Sequence, residues 1–314
     1  MSLWIWIAIA AVFFLLILPM ILIAVVLYLI LFVRTSKNKW GRVCSFPEDE
    51  EYSKMYDTGL EWGKKYEQHK TPVDIQSGRY RLCGEYFDFG GKCAVIIIAG
   101  RTEACYYGYY FAEPYRQLGC NVLVIDNRAH GLSDGRVTSF GMREYKDIIN
   151  WGRFLHDEKH NEKVILHGIC IGASAAIFAI TDKTCPDYIS ALTVEGMFPK
   201  FYDSFINNMK TQKRKPIQPV AFEVGLLILL FSHANIITNG PKNRVGQLKK
   251  PILFLHSRED KYSLPEKAQM MYDECDCEKQ LVWFEHGEHS RLRIIDEKKY
   301  DKAIVDFYSQ LYYN

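Results

Sequence analysis

The chain has 314 residues with a formal net charge of +2 and 48% hydrophobic residues, an almost balanced charge that gives no footing for a nucleic-acid partner. Its nine cysteines are odd in number and scattered without framework spacing, which argues against a disulfide-stapled fold and fits a reducing compartment. Cys275 and Cys277 lack the second pair that a zinc site needs, so no metal or organic cofactor is expected.

From Leu3 to Val33 no residue is charged and nearly every one is aliphatic or aromatic. A bilayer core takes roughly 20 apolar residues as helix, so residues 1–34 are expected to form one transmembrane anchor, with Pro19 and the excess length implying a tilt or kink. A secretory signal peptide is the competing reading. It would need a basic start and an apolar core of about 7–15 residues, and this run is about twice too long. Arg34, Lys37, Lys39 and Arg42 follow the span and nothing basic precedes it. The positive-inside rule therefore predicts a single-pass protein of the cell membrane with its C-terminal domain in the cytoplasm.

Residues 35–78 read as a polar, helix-leaning connector, and 79–314 as one catalytic-sized domain. Arg79 to Phe89 alternates and ends in Gly90-Gly91, the pattern of a hairpin strand and turn. Strands are then predicted at Cys93–Ala99, Val122–Ile125, Val164–His167 and Tyr188–Val194. Helices are predicted between them at 103–118, 142–156 and 171–181. Strands that are apolar throughout belong to a parallel sheet covered on both faces, so the expected fold class is α/β, doubly wound. The alternation breaks at about 197–250, which carries Phe198, Phe201, Phe205, a basic run from Lys210 to Lys215, and the apolar run Val224–Phe231. Too short to span a bilayer, that run is expected in a helical cap, either packed on the core or lining an acyl pocket. Strands at Ile252–His256 and Gln280–Phe284 and a helix at about 299–312 complete the reading.

The most specific signal is His167-Gly168-Ile169-Cys170-Ile171-Gly172-Ala173-Ser174. It follows a predicted strand and opens a small-residue helix, the setting of a nucleophile elbow in which a tight turn lifts the nucleophile above the sheet. Cys170 would also sit at a helix N-terminus, whose partial positive charge stabilises a developing anion. The bland alternative is a buried cysteine in an ordinary strand–helix turn. Ser174 is the other nearby hydroxyl, one turn into the helix.

A triad adds a base and an acid that orients it, and after an elbow of this kind they follow in the order acid, then histidine. Asp260 follows the strand 252–256, with Glu259 and Glu195 as rival acids. His289 follows the strand 280–284, with His286 as rival base, and Gly287 frees the loop ahead of His289. Oxyanion donors are expected from the backbone N–H of Ile171 and from Ala99-Gly100-Arg101-Thr102, where Arg101 is favoured and Thr102 is the alternative. The Arg101 side chain could meet an anionic substrate or lie on the surface.

With these residues the chain resembles the α/β-hydrolase superfamily from about Gly84 to its C-terminus. It is similar to the bacterial hydrolases with an N-terminal membrane helix, of the serine-aminopeptidase-like and prolyl-oligopeptidase-like branch. The resemblance rests on Ile98-Ala99-Gly100-Arg101-Thr102, on Asp126-Asn127-Arg128-Ala129-His130-Gly131-Leu132-Ser133, on Thr138-Ser139-Phe140-Gly141, and on the elbow, acid and histidine loops. It implies an α/β-hydrolase fold in which the Asp126–Ser133 loop shapes the floor beside the site without itself being catalytic. Two departures stand out: Ala99-Gly100 replaces the usual His-Gly, and Cys170 replaces the usual serine. Dienelactone hydrolases and polyhydroxyalkanoate synthases also carry cysteine there, although the synthases lack a loop like Asp126–Ser133.

The expected activity is hydrolysis of an ester or thioester, or of an amide, by Cys170, His289 and Asp260 through an acyl-enzyme. The substrate is expected to be a small or lipid-like acyl compound near the membrane. An acyltransferase on the same triad is the alternative, because a thioester intermediate is readily attacked by amines or alcohols. A non-catalytic, membrane-tethered binding protein on this scaffold is the third reading.

Overall fold

The structure, a computed structural model, describes residues 3–213 and 218–313. Eight strands form one sheet in the order β1-β2-β4-β3-β5-β6-β7-β8. They are β1 Lys70–Ser77, β2 Tyr80–Phe87, β3 Cys93–Ile98, β4 Asn121–Ile125, β5 Lys163–Ile169, β6 Ile189–Glu195, β7 Ile252–Ser257 and β8 Lys279–Phe284. The pairs β1–β2 and β2–β4 are antiparallel, and every other pairing is parallel.

Period-2 geometry explains why the strands read as unbroken apolar runs. Along β3, Ala94, Ile96 and Ile98 enter the core on one face with Trp151 and Ala176, whereas Val95, Ile97 and Ala99 enter the core on the other with Tyr56 and Tyr300. Both faces are covered, so neither register is polar.

The segment 35–78 contains the helix that its sequence leans toward, and a strand as well. Helix α2 (Glu50–Lys65) buries Tyr52, Met55, Tyr56, Gly59 and Gly63, one stripe at helical spacing, against the second core. Asp49 caps it by accepting from the Tyr52 N–H, and its charges complement the dipole, with Glu50 and Glu51 in the first turn and Lys64 and Lys65 in the last. Strand β1 then pairs along all of β2 as the sheet edge. It shows only a short alternation, Val73 and Ile75 half-buried against the first core with Asp74 and Gln76 between them, and Pro72 interrupts it. The predicted helix 103–118 is instead two short helical pieces, Cys105–Gly108 and Glu113–Gln117, joined by a 3₁₀ turn.

Helix α1, Leu3–Phe32, is long and apolar enough to cross a membrane. Pro19 does not break it. A π turn at Phe13–Ile17 sits just ahead, with the Leu18 N–H donating to Phe13 O, so that Pro19 falls in the first turn of the segment that follows, where a missing N–H costs least. The C-terminal end of α1 is seated on the domain: Ala24, Tyr28 and Phe32 are buried in a third apolar cluster with residues of the cap. Burying Phe32 alone stabilises that seat by about 1.5–3 kcal/mol. The last carbonyls of α1 find cationic donors. Lys39 Nζ donates to Ile30 O at 2.6 Å and Val33 O at 2.5 Å, and Arg101 Nη1 to Leu31 O at 2.9 Å.

Helices α3 (Tyr145–Asp157) and α4 (Ile171–Ile180) cover one face of the sheet. The cap consists of α5 (Phe201–Thr211), α6 (Val220–Ser232) and two 3₁₀ turns before β7. Part of the basic run, Arg214 and Lys215, lies outside the described residues. The apolar run in α6 is neither wholly core nor wholly pocket. Val224 and Ile228 pack against α1, while Leu226, Leu229, Leu230 and Phe231 face outward. Helix α7 (Pro265–Asp273), which followed no sequence cue, packs beside β7, and α8 (Glu297–Tyr313) closes the chain.

Candidate active site

The turn between β5 and α4 places Cys170 at φ 55° and ψ −113°, outside the regions that side-chain-bearing residues ordinarily occupy. The turn is held on both sides: the Cys170 N–H donates to Glu195 O at 2.9 Å, and Cys170 O accepts from the Ala173 N–H at 3.1 Å. Gly172 is required by contact, because a Cβ there would lie 2.0 Å from Ile98 O. The rival hydroxyl is committed elsewhere, since Ser174 is buried and donates to Phe140 O at 2.7 Å.

The loops after β7 and β8 bring the other two residues together. His289 Nδ1 lies 2.7 Å from Asp260 Oδ2, and the second carboxylate oxygen of Asp260 accepts the N–H groups of Tyr262 and Ser263 at 2.8 Å each. Those two N–H bonds fix the carboxylate, so it can orient the ring. Burial by itself would push the His289 pKa down, but the charges of Asp260 and Cys170 and the hydrogen bonds from both hold it well above the ordinary histidine value. Asp260 is buried, which opposes ionisation, yet the adjacent His289 brings its pKa below the usual carboxylate range. The Tyr262 ring lies 5.4 Å from the His289 ring, a packing contact with no motif to signal it.

The rivals have other partners. Glu259 and His286 pair with each other at 3.2 Å on the surface. Glu195 accepts from the Tyr300 hydroxyl at 2.6 Å and from the Leu292 N–H at 3.2 Å, which spends its carboxylate on tying α8 and the histidine loop to β6. Burial raises its pKa to about 7 against those hydrogen bonds. The sign follows: between about pH 4.5 and 7 the folded state holds a proton that the unfolded state has lost, so Glu195 costs stability progressively as pH rises. Glu195→Gln is expected to gain up to about 3 kcal/mol over wild type at pH 8 and little at pH 4.5. Urea denaturation at the two pH values reads the difference.

The loop after β3 lies directly beside Cys170, since a Cβ on Gly100 would be 3.6 Å from Cys170 Cβ. Its orientation is fixed from three sides. Asn127 Nδ2 donates to Ala99 O at 2.9 Å, the His130 ring bonds Arg101 O, and Ser45 Oγ donates to Thr102 O at 2.8 Å. The Asp126–Ser133 stretch thus holds the loop from behind. The Arg101 side chain is not a free surface cation: its Nη1 donates to Leu31 O of α1 at 2.9 Å, and the residue lines the cleft. The N–H of Ile171, first in α4, has no acceptor within its own helix and sits next to Cys170.

Cys170, His289, Gly100, Arg101 and Thr102 line one cleft of about 990 Å³. Unforeseen from the sequence, Ile23, Leu27 and Leu31 of α1 line it too. The one available signal was the length of the apolar run, which exceeds a span. Among the described residues no group of three or more His, Cys, Asp or Glu side chains is placed to hold a metal ion, and all nine cysteines are free.

The fold is matched by solved structures. The esterase Pf2001 of Pyrococcus furiosus superposes with a TM-score of 0.65 at 20% identity, over 79% of this chain and 92% of its own. The chain has an α/β-hydrolase fold.

Other hydrolase-fold structures are similar at greater distance. The esterase EaEST of Exiguobacterium antarcticum gives a TM-score of 0.57 at 16% identity, covering 75% of this chain and 98% of that one. The acylaminoacyl peptidase of Pyrococcus horikoshii gives 0.56 at 17% identity, covering 78% of this chain and 41% of the peptidase. In sequence, the chain is 25% identical to the uncharacterized protein YqkD of Bacillus subtilis (strain 168) over 214 residues, 68% of this chain and 70% of YqkD. No protein-family model matches it.

Proposed function

We propose that the protein hydrolyses an ester or thioester through Cys170, His289 and Asp260. The observation that carries the reading is a cysteine in a strained positive-φ elbow that shares a cleft with a carboxylate-oriented histidine. His289 takes the thiol proton, or holds it as imidazolium beside the thiolate, and Cys170 Sγ attacks the carbonyl carbon. The N–H groups of Arg101 and Ile171 stabilise the oxyanion. As the tetrahedral intermediate collapses, the carbon–leaving-group bond breaks and the alcohol or thiol departs with the proton from His289. His289 then deprotonates a water, which attacks the thioester, and the acid is released as Sγ regains its proton.

The test is intact-mass analysis of the full chain in detergent after mixing with an activated ester. A stoichiometric acyl adduct on Cys170 that needs His289 supports the reading, and alkylation of Cys170 no faster than of the other cysteines, with no adduct, refutes it. Acyl transfer differs only in the acceptor. Product analysis with added alcohols or amines separates it from hydrolysis.

We also propose that α1 crosses the membrane once with the domain on the cytoplasmic side. The basic cluster that supports this orientation has structural duties as well. Arg34 donates to Gly131 O at 2.6 Å, and Arg42 binds Glu85 at 2.5 Å and Asp126 at 2.9 Å. A C-terminal epitope is expected to be digested by external protease in inside-out vesicles and protected in right-side-out ones. The reverse pattern overturns the orientation.

A further inference from the structure

Helix α1 is too long for the bilayer it would cross. Its 30 residues extend about 45 Å, against a hydrocarbon core of about 30 Å. Tilt alone would have to reach about 50°, beyond the 0–40° that spanning helices adopt. The surplus of about 10 residues corresponds to the end of α1 that is seated on the domain, where Ala24, Tyr28 and Phe32 are buried. The other sides of that end are not polar: Val26, Leu29 and Ile30 are 45–59% exposed. An apolar surface therefore continues past the span and onto the domain.

Helix α6 extends it. It lies along α1, with the Tyr28 and Phe231 rings 5.8 Å apart and the Tyr28 hydroxyl 3.4 Å from Ser232 Oγ. Phe222, Leu226, Leu229 and Leu230 recur at i, i+4, i+7 and i+8 on its outer face and are 42–64% exposed. Facing water, such a patch is a liability; beside a membrane helix it is continuous with lipid.

The cleft is amphipathic in the matching sense. Leu27, Leu31, Phe201, Phe205 and Met209 line it from α1 and α5, with the uncharged Ser204 and Asn208 of α5 among them, whereas the charged lining residues Glu48, Asp49, Glu288 and Arg291 come from loops. Cys170 and His289 belong to the same cavity.

We infer that the cleft is filled from the bilayer: α6 docks on the lipid surface beside α1, and the substrate is a membrane-dissolved long-chain acyl ester or thioester. Its chain lies between α1 and α5, and its polar group faces Glu48, Asp49, Glu288 and Arg291. The substrate class rests on the acyl-enzyme reading above; the lipid-filled cleft does not. Helix α1 is then a wall of the binding site as well as an anchor.

The experiment uses the full chain, as wild type and as Cys170→Ala, in phosphatidylethanolamine–phosphatidylglycerol vesicles carrying a phosphatidylcholine with a diazirine in its acyl chain. After irradiation, adducts are mapped by peptide mass spectrometry. The first two-thirds of α1 reports bilayer exposure in every sample, and α8 reports background. Adducts are expected in Cys170→Ala on the outer face of α6 and on the cleft residues of α5, with the α5 adducts lost when an excess of unlabelled long-chain ester is added. Adducts confined to α1 overturn the inference, as do α5 adducts that the ester does not displace. If the lipid adducts form but wild-type Cys170 never acylates, the hydrolase reading fails while the lipid-filled cleft stands. If Cys170 acylates but α5 and α6 stay unlabelled, the reverse holds.

Discussion

Cys170→Ala is expected to abolish the acyl-enzyme and lower turnover by on the order of 10⁵–10⁶-fold, leaving only what oxyanion donors and binding supply. The chemistry makes the loss nearly complete, because alanine removes the atom to which the acyl group bonds. Cys170→Ser is the more informative partner. Serine fits the same elbow, where the φ of 55° and the crowding at Gly172 constrain backbone and neighbours rather than the Cys170 side chain. A hydroxyl, however, is a poorer nucleophile without full deprotonation by the base, so the serine variant depends on His289 at every turnover. Steady-state rates and adduct masses with one activated ester, measured for wild type and both variants, decide the point. Equal rates in wild type and Cys170→Ala would remove Cys170 from the mechanism.

Asp260→Asn is expected to cost about 10⁴-fold in kcat and to move the alkaline limb of the pH–rate profile to lower pH. The sign follows from the site. Asp260 is the first of the groups that lift the His289 pKa against its burial, so deleting that charge lowers it. If the reactive state is a thiolate beside an imidazolium, His289 then loses its proton at lower pH and activity falls sooner on the alkaline side. Asparagine also presents either an amide N–H or a carbonyl to Nδ1, which can favour the wrong tautomer. The stability contribution of the pair has a window of its own. On the histidine side, with a raised folded pKa, it is fully present below about pH 6.5 and is lost as pH rises through the folded value. On the aspartate side, with a depressed folded pKa, it is present above about pH 3.9 and is lost as pH falls through the folded value. One interaction is seen from two partners, complete between about pH 4 and 6.5. A denaturation series that extends below and above that range, wild type against Asp260→Asn, should show its largest gap within it and a smaller one on either side, and a gap that does not vary with pH over the whole series would mean that the two groups do not titrate as a pair.

Arg101 links α1 to the loop beside Cys170. Its backbone belongs to the loop beside Cys170, its carbonyl is held by His130, and its guanidinium holds the last turn of α1. Loss of α1 therefore removes a hydrogen-bond partner of this loop together with a wall of the cleft.

Residue order alone determined what depends on near neighbours. The unbroken apolar strands between helical segments specify a parallel sheet covered on both faces, because period-2 side chains must be apolar on both sides to be buried on both. The elbow is legible for the same reason: strand, glycine, cysteine, glycine and small-residue helix lie within about a dozen residues, and the steric demand at Gly172 comes from a neighbouring strand end that any such turn must approach. The order of acid and histidine loops is likewise a property of the chain. The choice among carboxylates was not. Glu195, Glu259 and Asp260 all sit at strand ends, and only packing turns Asp260 to His289, Glu195 to Tyr300 and Glu259 to His286. Strand β1 is weakly signalled, because only Val73 and Ile75 alternate inward at this edge and its conformation owes most to pairing with β2. The union of α1 with the cap was also invisible, since an apolar run looks the same whether its neighbour is lipid or protein. Tertiary structure decided that contact, and with it that the long apolar helix α1 is also a wall of the cleft.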